Sequence, residues 1–150
     1  DGQTIALTNS PVNIFSLFSG EVITKEPVSE LEWDTTTEAN KAIYKGSYIG
    51  QAEVSYIITI MDSSAADNQR ILSYLYLNGV SVTGMDNVGG SNNAGAAKEI
   101  GSIYMTGLVN IKAGDKLELM VKLHSDVSGP KNAALYKVKL LIKPLRIMRS

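Results

Sequence analysis

Apolar and polar residues alternate with a period of two along most of this chain. The alternation is regular in residues 117–123 and 136–143. Successive side chains of a β-strand point to opposite faces of its sheet, so each segment predicts a strand with one buried face. Residues 54–61 repeat the pattern, but Ile57 and Met61 place apolar side chains in the alternate positions as well. That segment is therefore expected to be a strand covered on both sides.

Turn signals separate the apolar segments at short intervals. The pair Asn78-Gly79 predicts a tight hairpin, because both central residues of such a turn need positive φ. Ala113-Gly114-Asp115 predicts a second turn. Shorter strands are expected at residues 4–7, 12–18, 21–24, 31–33 and 42–45, and loops at residues 62–69, 84–97 and 125–132. About eight to ten short strands without a helical pattern predict an all-β sandwich or barrel.

The composition limits the functions that the chain can serve. Its 150 residues are 44% hydrophobic and 19% charged, with a mean hydropathy of +0.01, which predicts a single folded domain over residues 1–150. No apolar run is long enough for membrane insertion. The net charge of −1, with acids and bases intermixed, gives no field to attract nucleic acid. The absence of cysteine excludes disulfides, thiolate zinc sites and thiol nucleophiles.

Residues for catalysis are sparse. His124 is the single histidine, so one chain cannot form a histidine-dependent triad or a three-histidine metal site. In a trimer three copies of His124 could meet on the axis and bind an ion, but its position before a polar loop favours a solvated histidine. No motif pairs two carboxylates, and the glycine-rich residues 84–95 lack the lysine and the helix start of a phosphate loop. We therefore predict that the protein is not an enzyme.

Two groups of acidic residues are candidates for calcium. Glu30, Glu32 and Asp34 alternate, so on one face of a strand they would form either a calcium site or a solvated edge that discourages strand pairing. A second group falls in predicted loops at one end of a sandwich, and it comprises Asp62, Asp67 and Asp126. Neither spacing requires a metal, so we predict no metal and no cofactor.

Five short motifs occur in a fixed order in the last two thirds of the chain. They are Val54-Ser55-Tyr56, Leu75-Tyr76-Leu77-Asn78-Gly79-Val80, Gly107-Leu108-Val109, Ala113-Gly114-Asp115-Lys116-Leu117 and Leu135-Tyr136-Lys137-Val138. From Tyr48 to Leu145 this order resembles the tumour-necrosis-factor/C1q-like jelly roll. The resemblance implies a jelly-roll sandwich of antiparallel strands and a homotrimer, since members of this family are trimers. The first third of the chain departs most from the family's pattern.

The resemblance also implies a function. In many members the domain is the C-terminal head of a fibrous stalk or spike, and the cysteine-free chain with asparagine-rich loops is more similar to viral or bacterial heads than to animal cytokines. The resemblance therefore implies a non-enzymatic head of a viral fibre or spike, of the kind found on phages. This head would lie on the virion surface and bind a host-surface glycan, a host protein or other virion proteins. The alternatives are a structural capsid or decoration jelly-roll protein and a secreted or surface C1q-like adhesion module. Because the chain begins at Asp1 without a methionine or leader, it is expected to be a processed chain or the head of a longer one.

Two sets of site residues follow from the resemblance and the loop pattern. Tyr56, Tyr104 and Tyr136 are predicted at the trimer interface, where the family places aromatic residues at the positions of Tyr56 and Tyr104. The alternative is that these tyrosines fill the core, as large β-favouring residues often do. The second set is predicted to bind a receptor through exposed loops, and it comprises Asn87, Ser91, Asn92, Asn93, Asp62, Asn68 and Asp126.

Overall fold

β-Strands make up most of the computed structural model, which describes residues 3–17, 23–25, 33–34, 40–46, 48–62, 69–91, 100–125 and 128–149. The strands are β1 (Gln3–Leu7), β2 (Val12–Asn13), β3 (Ile23–Lys25), β4 (Trp33–Asp34), β5 (Ala42–Tyr44), β6 (Tyr48–Asp62), β7 (Gln69–Leu77), β8 (Val80–Ser91), β9 (Ile100–Ile111), β10 (Lys116–Leu123) and β11 (Lys131–Arg149). Within these ranges the helical structure is one 3-10 turn at Ile14–Ser16. The prediction of an all-β chain is confirmed.

The strands form two sheets that enclose one hydrophobic core. The first sheet has the order β1-β11-β6-β9, with β3 beside β11, and the second has the order β4-β5-β10-β7-β8, with β2 beside β10. The described pairings are antiparallel apart from the short one between β3 and β11. Val54 and Ile58 from the first sheet and Leu117 and Leu119 from the second are buried in the same cluster. Each such side chain contributes about 1.5–3 kcal/mol by leaving water, and the arrangement is compatible with a β-sandwich.

The predicted hairpin joins β7 to β8. Asn78 has a φ of 53° and Gly79 a φ of 82°, which are the positive values that both central residues of this turn need. The turn predicted at residues 113–115 is also present between β9 and β10. Local sequence therefore determines both of these connections.

β8 runs through residues that the sequence pattern assigned to a loop. Residues 84–91 continue this strand and pair with β7, so the prediction of a loop that starts at residue 84 is wrong. A bulge explains the error: the register shifts between Tyr74 and Tyr76, and Gly84 lies in the bulged part of β8 with a φ of 79°, a value that favours glycine. The extra residues break the period of two, although Met85 still reaches the core.

Two other boundaries differ from the sequence prediction. The strand expected over residues 12–18 stops at Asn13, whose side-chain oxygen accepts a hydrogen bond from the backbone N–H of Phe15 at 2.9 Å. This local bond starts the 3-10 turn in place of continued strand pairing. At the other end of the chain, β11 begins at Lys131, inside the predicted loop 125–132.

β6 is fully covered on its inner side only. Val54, Tyr56 and Ile58 have no exposed surface, whereas Ile57, on the outer side, is half-buried. Within a single chain, the strand is therefore fully covered on one side, and the predicted cover of the other side is only partial. The outer side of β6 belongs to a surface that the chain itself leaves open.

Candidate interaction surfaces

The outer side of β9 carries the most exposed large apolar side chains of the first sheet. Tyr104 is 53% exposed and Leu108 is 55% exposed. In the ladder with β6, Tyr104 lies opposite Ile57 and Leu108 lies opposite Glu53. We call the surface formed by these four residues the β9 face. The exposed Thr106 separates Tyr104 from Leu108 in the same strand, and its hydroxyl lies 2.9 Å from that of Ser55. The β9 face therefore presents two large exposed apolar side chains in partly polar surroundings.

A row of lysines borders the β9 face along β11. Lys139 lies opposite Ile57, Lys143 lies opposite Glu53, and Lys137 precedes them in the same strand. In the part of the chain that the structure describes, no ion pair involves these three lysines. The surface of the first sheet therefore combines two exposed apolar side chains along β9, Tyr104 and Leu108, with a row of lysines along β11. We call the first pair the apolar stripe and the lysine row the basic stripe.

Tyr136 lies at a bulge in β11. The register with β6 shifts between Leu135 and Lys137, so Tyr136 is the additional residue. It is 36% exposed, and Lys137 beside it is also exposed. The position leaves surface of Tyr136 available for a partner, and its role at a subunit interface, like that of Tyr104, stays a prediction.

Tyr56 belongs to the core, in contrast to Tyr104. It has no exposed surface, so it has none to contribute to a contact between subunits, and its prediction as an interface residue is wrong. Its hydroxyl lies 2.9 Å from the Ser73 hydroxyl and 3.3 Å from the carbonyl oxygen of Met85, while Ser73 donates to the carbonyl oxygen of Asn87 at 3.2 Å. These bonds link β6 of one sheet to β7 and β8 of the other.

The buried position also affects the acidity of Tyr56. Burial raises the pKa of its hydroxyl above the usual value of 10.0, the hydrogen bond to Ser73 lowers it in part, and the negative charge of Asp86 raises it further. The folded chain therefore holds this proton more tightly than the unfolded chain does.

We expect Tyr56→Phe to make the free energy of unfolding less dependent on pH in the alkaline range. Between pH 7 and pH 9 the variant should be less stable than the wild type by about 1 kcal/mol, because one buried hydrogen bond is missing while the ring volume is kept. Above a pH of about 10 the unfolded wild type loses the Tyr56 proton first, so its stability falls as the pH rises. Denaturant titrations from pH 7 to pH 11 give the free energy of unfolding of both proteins, and the difference between them should shrink above pH 10. A difference that stays constant would contradict a raised pKa of Tyr56 in the folded chain.

The strand ends that border three connections lie together at one end of the two sheets. In the ladders, Gln69 pairs with Ser91, Met61 with Ile100, and Leu7 with Lys131. The ends of β6, β8 and β10 and the starts of β7, β9 and β11 consequently lie together, as the sequence analysis expected of the loops. We call this region the loop end.

The predicted receptor-binding residues divide among three places. Asp62 is the last residue of β6 and Ser91 is the last residue of β8, so both reach the loop end. Asn87 lies within β8. The remaining predicted residues lie outside the described ranges, and they are Asn68, Asn92, Asn93 and Asp126.

Asn87 has a structural role that the sequence analysis did not predict. Its amide donates to the carbonyl oxygen of Tyr104 at 2.7 Å, and its side-chain oxygen accepts from the backbone N–H of Val88 at 2.8 Å. β8 and β9 are the edge strands of the two sheets, so this side chain joins the sheets at their common edge. The prediction of Asn87 as a receptor-binding loop residue is therefore wrong in placing it in a loop.

Two turns at the opposite end are tied together by side chains. The carboxylate of Asp115, which is only 4% exposed, accepts hydrogen bonds from the backbone N–H of Lys112 at 2.8 Å and from the Asn78 amide at 2.9 Å. The Asn78 side-chain oxygen accepts from the backbone N–H of Lys116 at 2.9 Å. The backbone of Asp115 also accepts from the N–H of Tyr44 at 2.8 Å. This network fixes the β7–β8 hairpin against β5 and the β9–β10 turn.

The candidate metal residues are not brought together where they are described. No three His, Cys, Asp or Glu side chains of the described residues cluster in a way that would hold a metal ion. Asp34 lies in β4, Asp62 ends β6, and His124 follows β10. The other candidates, which are Glu30, Glu32, Asp67 and Asp126, lie outside the described ranges.

Comparison with known proteins adds no relative. No protein-family model and no curated protein matches the chain. Among the described residues no helix is long and apolar enough to cross a membrane. The arguments about function therefore depend on the surfaces of the chain itself.

Proposed function

We propose that this chain is a jelly-roll domain that forms a homotrimer and acts, without catalysis, as the head of a viral fibre or spike that attaches to a host surface. The exposure of Tyr104 and Leu108 on the same outer face of β9 is the observation that carries the proposal. The phage origin and the virion location rest on the resemblance described above. The alternatives are a capsid or decoration protein and a surface adhesion module, which would share the fold and the assembly.

The connectivity of the strands supports the jelly roll. From β5 onward the chain passes from one sheet to the other at every connection except the β7–β8 hairpin. Four strands in the order β1-β11-β6-β9 face four in the order β5-β10-β7-β8. Two four-stranded sheets wound by repeated crossings are the arrangement of jelly rolls.

The two stripes of the first sheet support a cyclic trimer. In a cyclic trimer each chain offers two different contact regions to its neighbours, in contrast to a twofold dimer. An apolar stripe with Tyr104 and a basic stripe with Lys139 suit such a pairing, because a lysine stem can cover an aromatic ring while its ammonium stays in water. The half-buried Ile57 between them would become fully covered.

The loop end supports attachment. It gathers the connections of both sheets at one end, and Asp62 and Ser91 border it. In a trimer three copies of this region would be held on one rigid head, so weak individual binding would add up through avidity. Loops at such positions tolerate sequence change because few packed contacts depend on them.

The test of the assembly is the mass of the purified chain. We expect light scattering after gel filtration, at micromolar concentration, to give three times the 16.1 kDa of one chain. A mass of 16.1 kDa across that range would contradict the trimer. Binding of the labelled trimer to whole bacterial cells, measured by flow cytometry over a panel of strains, tests attachment; a trimer that binds none of them would favour the capsid alternative.

A further inference from the structure

Two tyrosines project from the outer side of the second sheet, on the strand that lies next to the bulge in β8. Tyr74 and Tyr76 alternate with the buried Ser73 and Leu75 along β7, so their rings share the outer face. The ring centroids are 6.3 Å apart and the planes are inclined by 60°. Both tyrosines are half-buried. We call the area around them the tyrosine platform.

Charged groups of both signs flank the platform. Asp86 lies opposite Tyr74 in β8 and is exposed. The ammonium of Lys122 lies over the Tyr74 ring, 5.7 Å from its centre, in a cation–π contact that covers one face of this ring. Neither Asp86 nor Lys122 has an ion pair with another described residue, whereas Glu118 nearby contacts Lys41 at 3.7 Å. A hydrogen-bond acceptor and a hydrogen-bond donor that form no ion pair with described residues are therefore present next to the tyrosine pair.

This combination differs from that of the β9 face. The β9 face has exposed apolar side chains with lysines to one side, which suits burial against protein. The tyrosine platform has rings that are only partly exposed, and both a carboxylate and an ammonium lie within one strand of Tyr74. A second copy of the chain would bury these two charges, at a cost that only a precise pairing would offset.

A sugar unit matches the chemistry of the platform. One face of a hexose ring presents C–H groups that pack on an aromatic ring, and its hydroxyl groups both donate and accept hydrogen bonds. Neighbouring hydroxyls can therefore donate to Asp86 and accept from Lys122 without a net charge on the ligand. Nucleic acid is disfavoured because Asp86 and Glu118 would repel phosphates on both sides of the tyrosine pair.

We propose that the tyrosine platform is a binding site for a neutral saccharide of the host surface, with Tyr76 as the stacking residue and Asp86 and Lys122 as hydrogen-bonding residues. This inference rests on the proposed role in attachment and gives it a ligand class. The site is contained in one chain, so a trimer would carry three copies of it on the sheet opposite the β9 face.

The test measures retention of the intact chain on immobilised neutral polysaccharides. Dextran, mannan and galactan resins serve as probes, with uncoated resin as the blank. We expect the wild type to be retained on at least one of them, and Tyr76→Ala to reduce its apparent affinity about tenfold through the lost stacking. Tyr76→Phe should keep most of the affinity, because the ring remains. Asp86→Asn should weaken binding while leaving the chain folded.

Val88→Ala is the matched control, because Val88 is 42% exposed on the neighbouring strand but offers no aromatic ring. Melting temperature and mass are recorded for each variant. Failure of the wild type to bind any of the three resins overturns the inference, as does equal binding by Tyr76→Ala. If Tyr76→Ala changes the mass of the assembly but not its retention on the resin, the platform is a contact between copies of the chain. A trimer without sugar binding leaves the proposed assembly intact, and a sugar-binding monomer contradicts the trimer alone.

Discussion

Replacing Tyr104 with glutamate is expected to convert the trimer into monomers of 16.1 kDa. The substituted carboxylate would lie in the apolar stripe of the β9 face, opposite Ile57. Each unpaired charge buried in a subunit contact costs about 3–5 kcal/mol, and the trimer repeats the cost three times. The isolated chain should still fold, because Tyr104 is 53% exposed and the sandwich core does not include it. Light scattering and a thermal melt on the same sample measure both effects.

Val80→Glu is the matched control for this variant. Val80 is 69% exposed at the β7–β8 hairpin, which belongs to the other sheet. The same change of charge should leave the mass of the assembly unaltered. If Tyr104→Glu remains trimeric with the melting temperature of the wild type, the β9 face is not the contact between chains. Loss of the trimer in both variants would point to a general effect of charge and would also count against the β9 face.

The sequence predicted the parts of the fold that local rules control. The period of two located β10 and the middle of β11, and Asn78-Gly79 located the hairpin, because both signals lie within a few neighbouring residues. The second half of β8, residues 84–91, was missed because the bulge at Gly84 places extra residues between positions that face the core. A periodicity test cannot detect a strand whose phase changes in the middle.

The position of each tyrosine in the alternation of its strand explains why Tyr56 is buried and Tyr104 is exposed. Tyr56 alternates with Val54 and Ile58, so the pattern of β6 already favoured a buried position over an interface. In β9 both phases carry apolar residues, since Tyr104 and Leu108 alternate with Ile103 and Val109. Only the packing of the two sheets shows which of these phases faces outward.

Contacts between distant parts of the chain could not be predicted from sequence. The amide of Asn87 reaches the carbonyl of Tyr104 only because the edge strands of the two sheets approach each other. Similarly, Asn78 and Asp115 each lie in a segment whose sequence is typical of a turn, but neither segment indicates that the two turns contact each other. Their hydrogen bond spans 37 residues of the chain.

Replacing Asp115 with alanine is expected to destabilise the chain by about 3 kcal/mol. The change removes a carboxylate that is only 4% exposed and that accepts two hydrogen bonds, and it leaves the N–H of Lys112 and the amide of Asn78 without this acceptor. Each hydrogen bond to a charged group contributes about 1.5–3 kcal/mol, and local rearrangement recovers part of the loss. For a chain of this length the melting temperature should fall by roughly 6–12 °C. Denaturant titration at pH 7 gives the free energy directly.

Asp86→Ala is the control for Asp115→Ala, because Asp86 is an exposed acid and its removal should change stability by no more than about 0.5 kcal/mol. Asn78→Gly tests the partner while keeping the positive φ of the turn. If the network acts as a unit, the double variant with Asp115→Ala should lose less stability than the two single losses added together, because the second change removes a bond that the first has already broken. Strict additivity would mean that Asp115 stabilises its own turn alone, and that the two turns fold independently of each other.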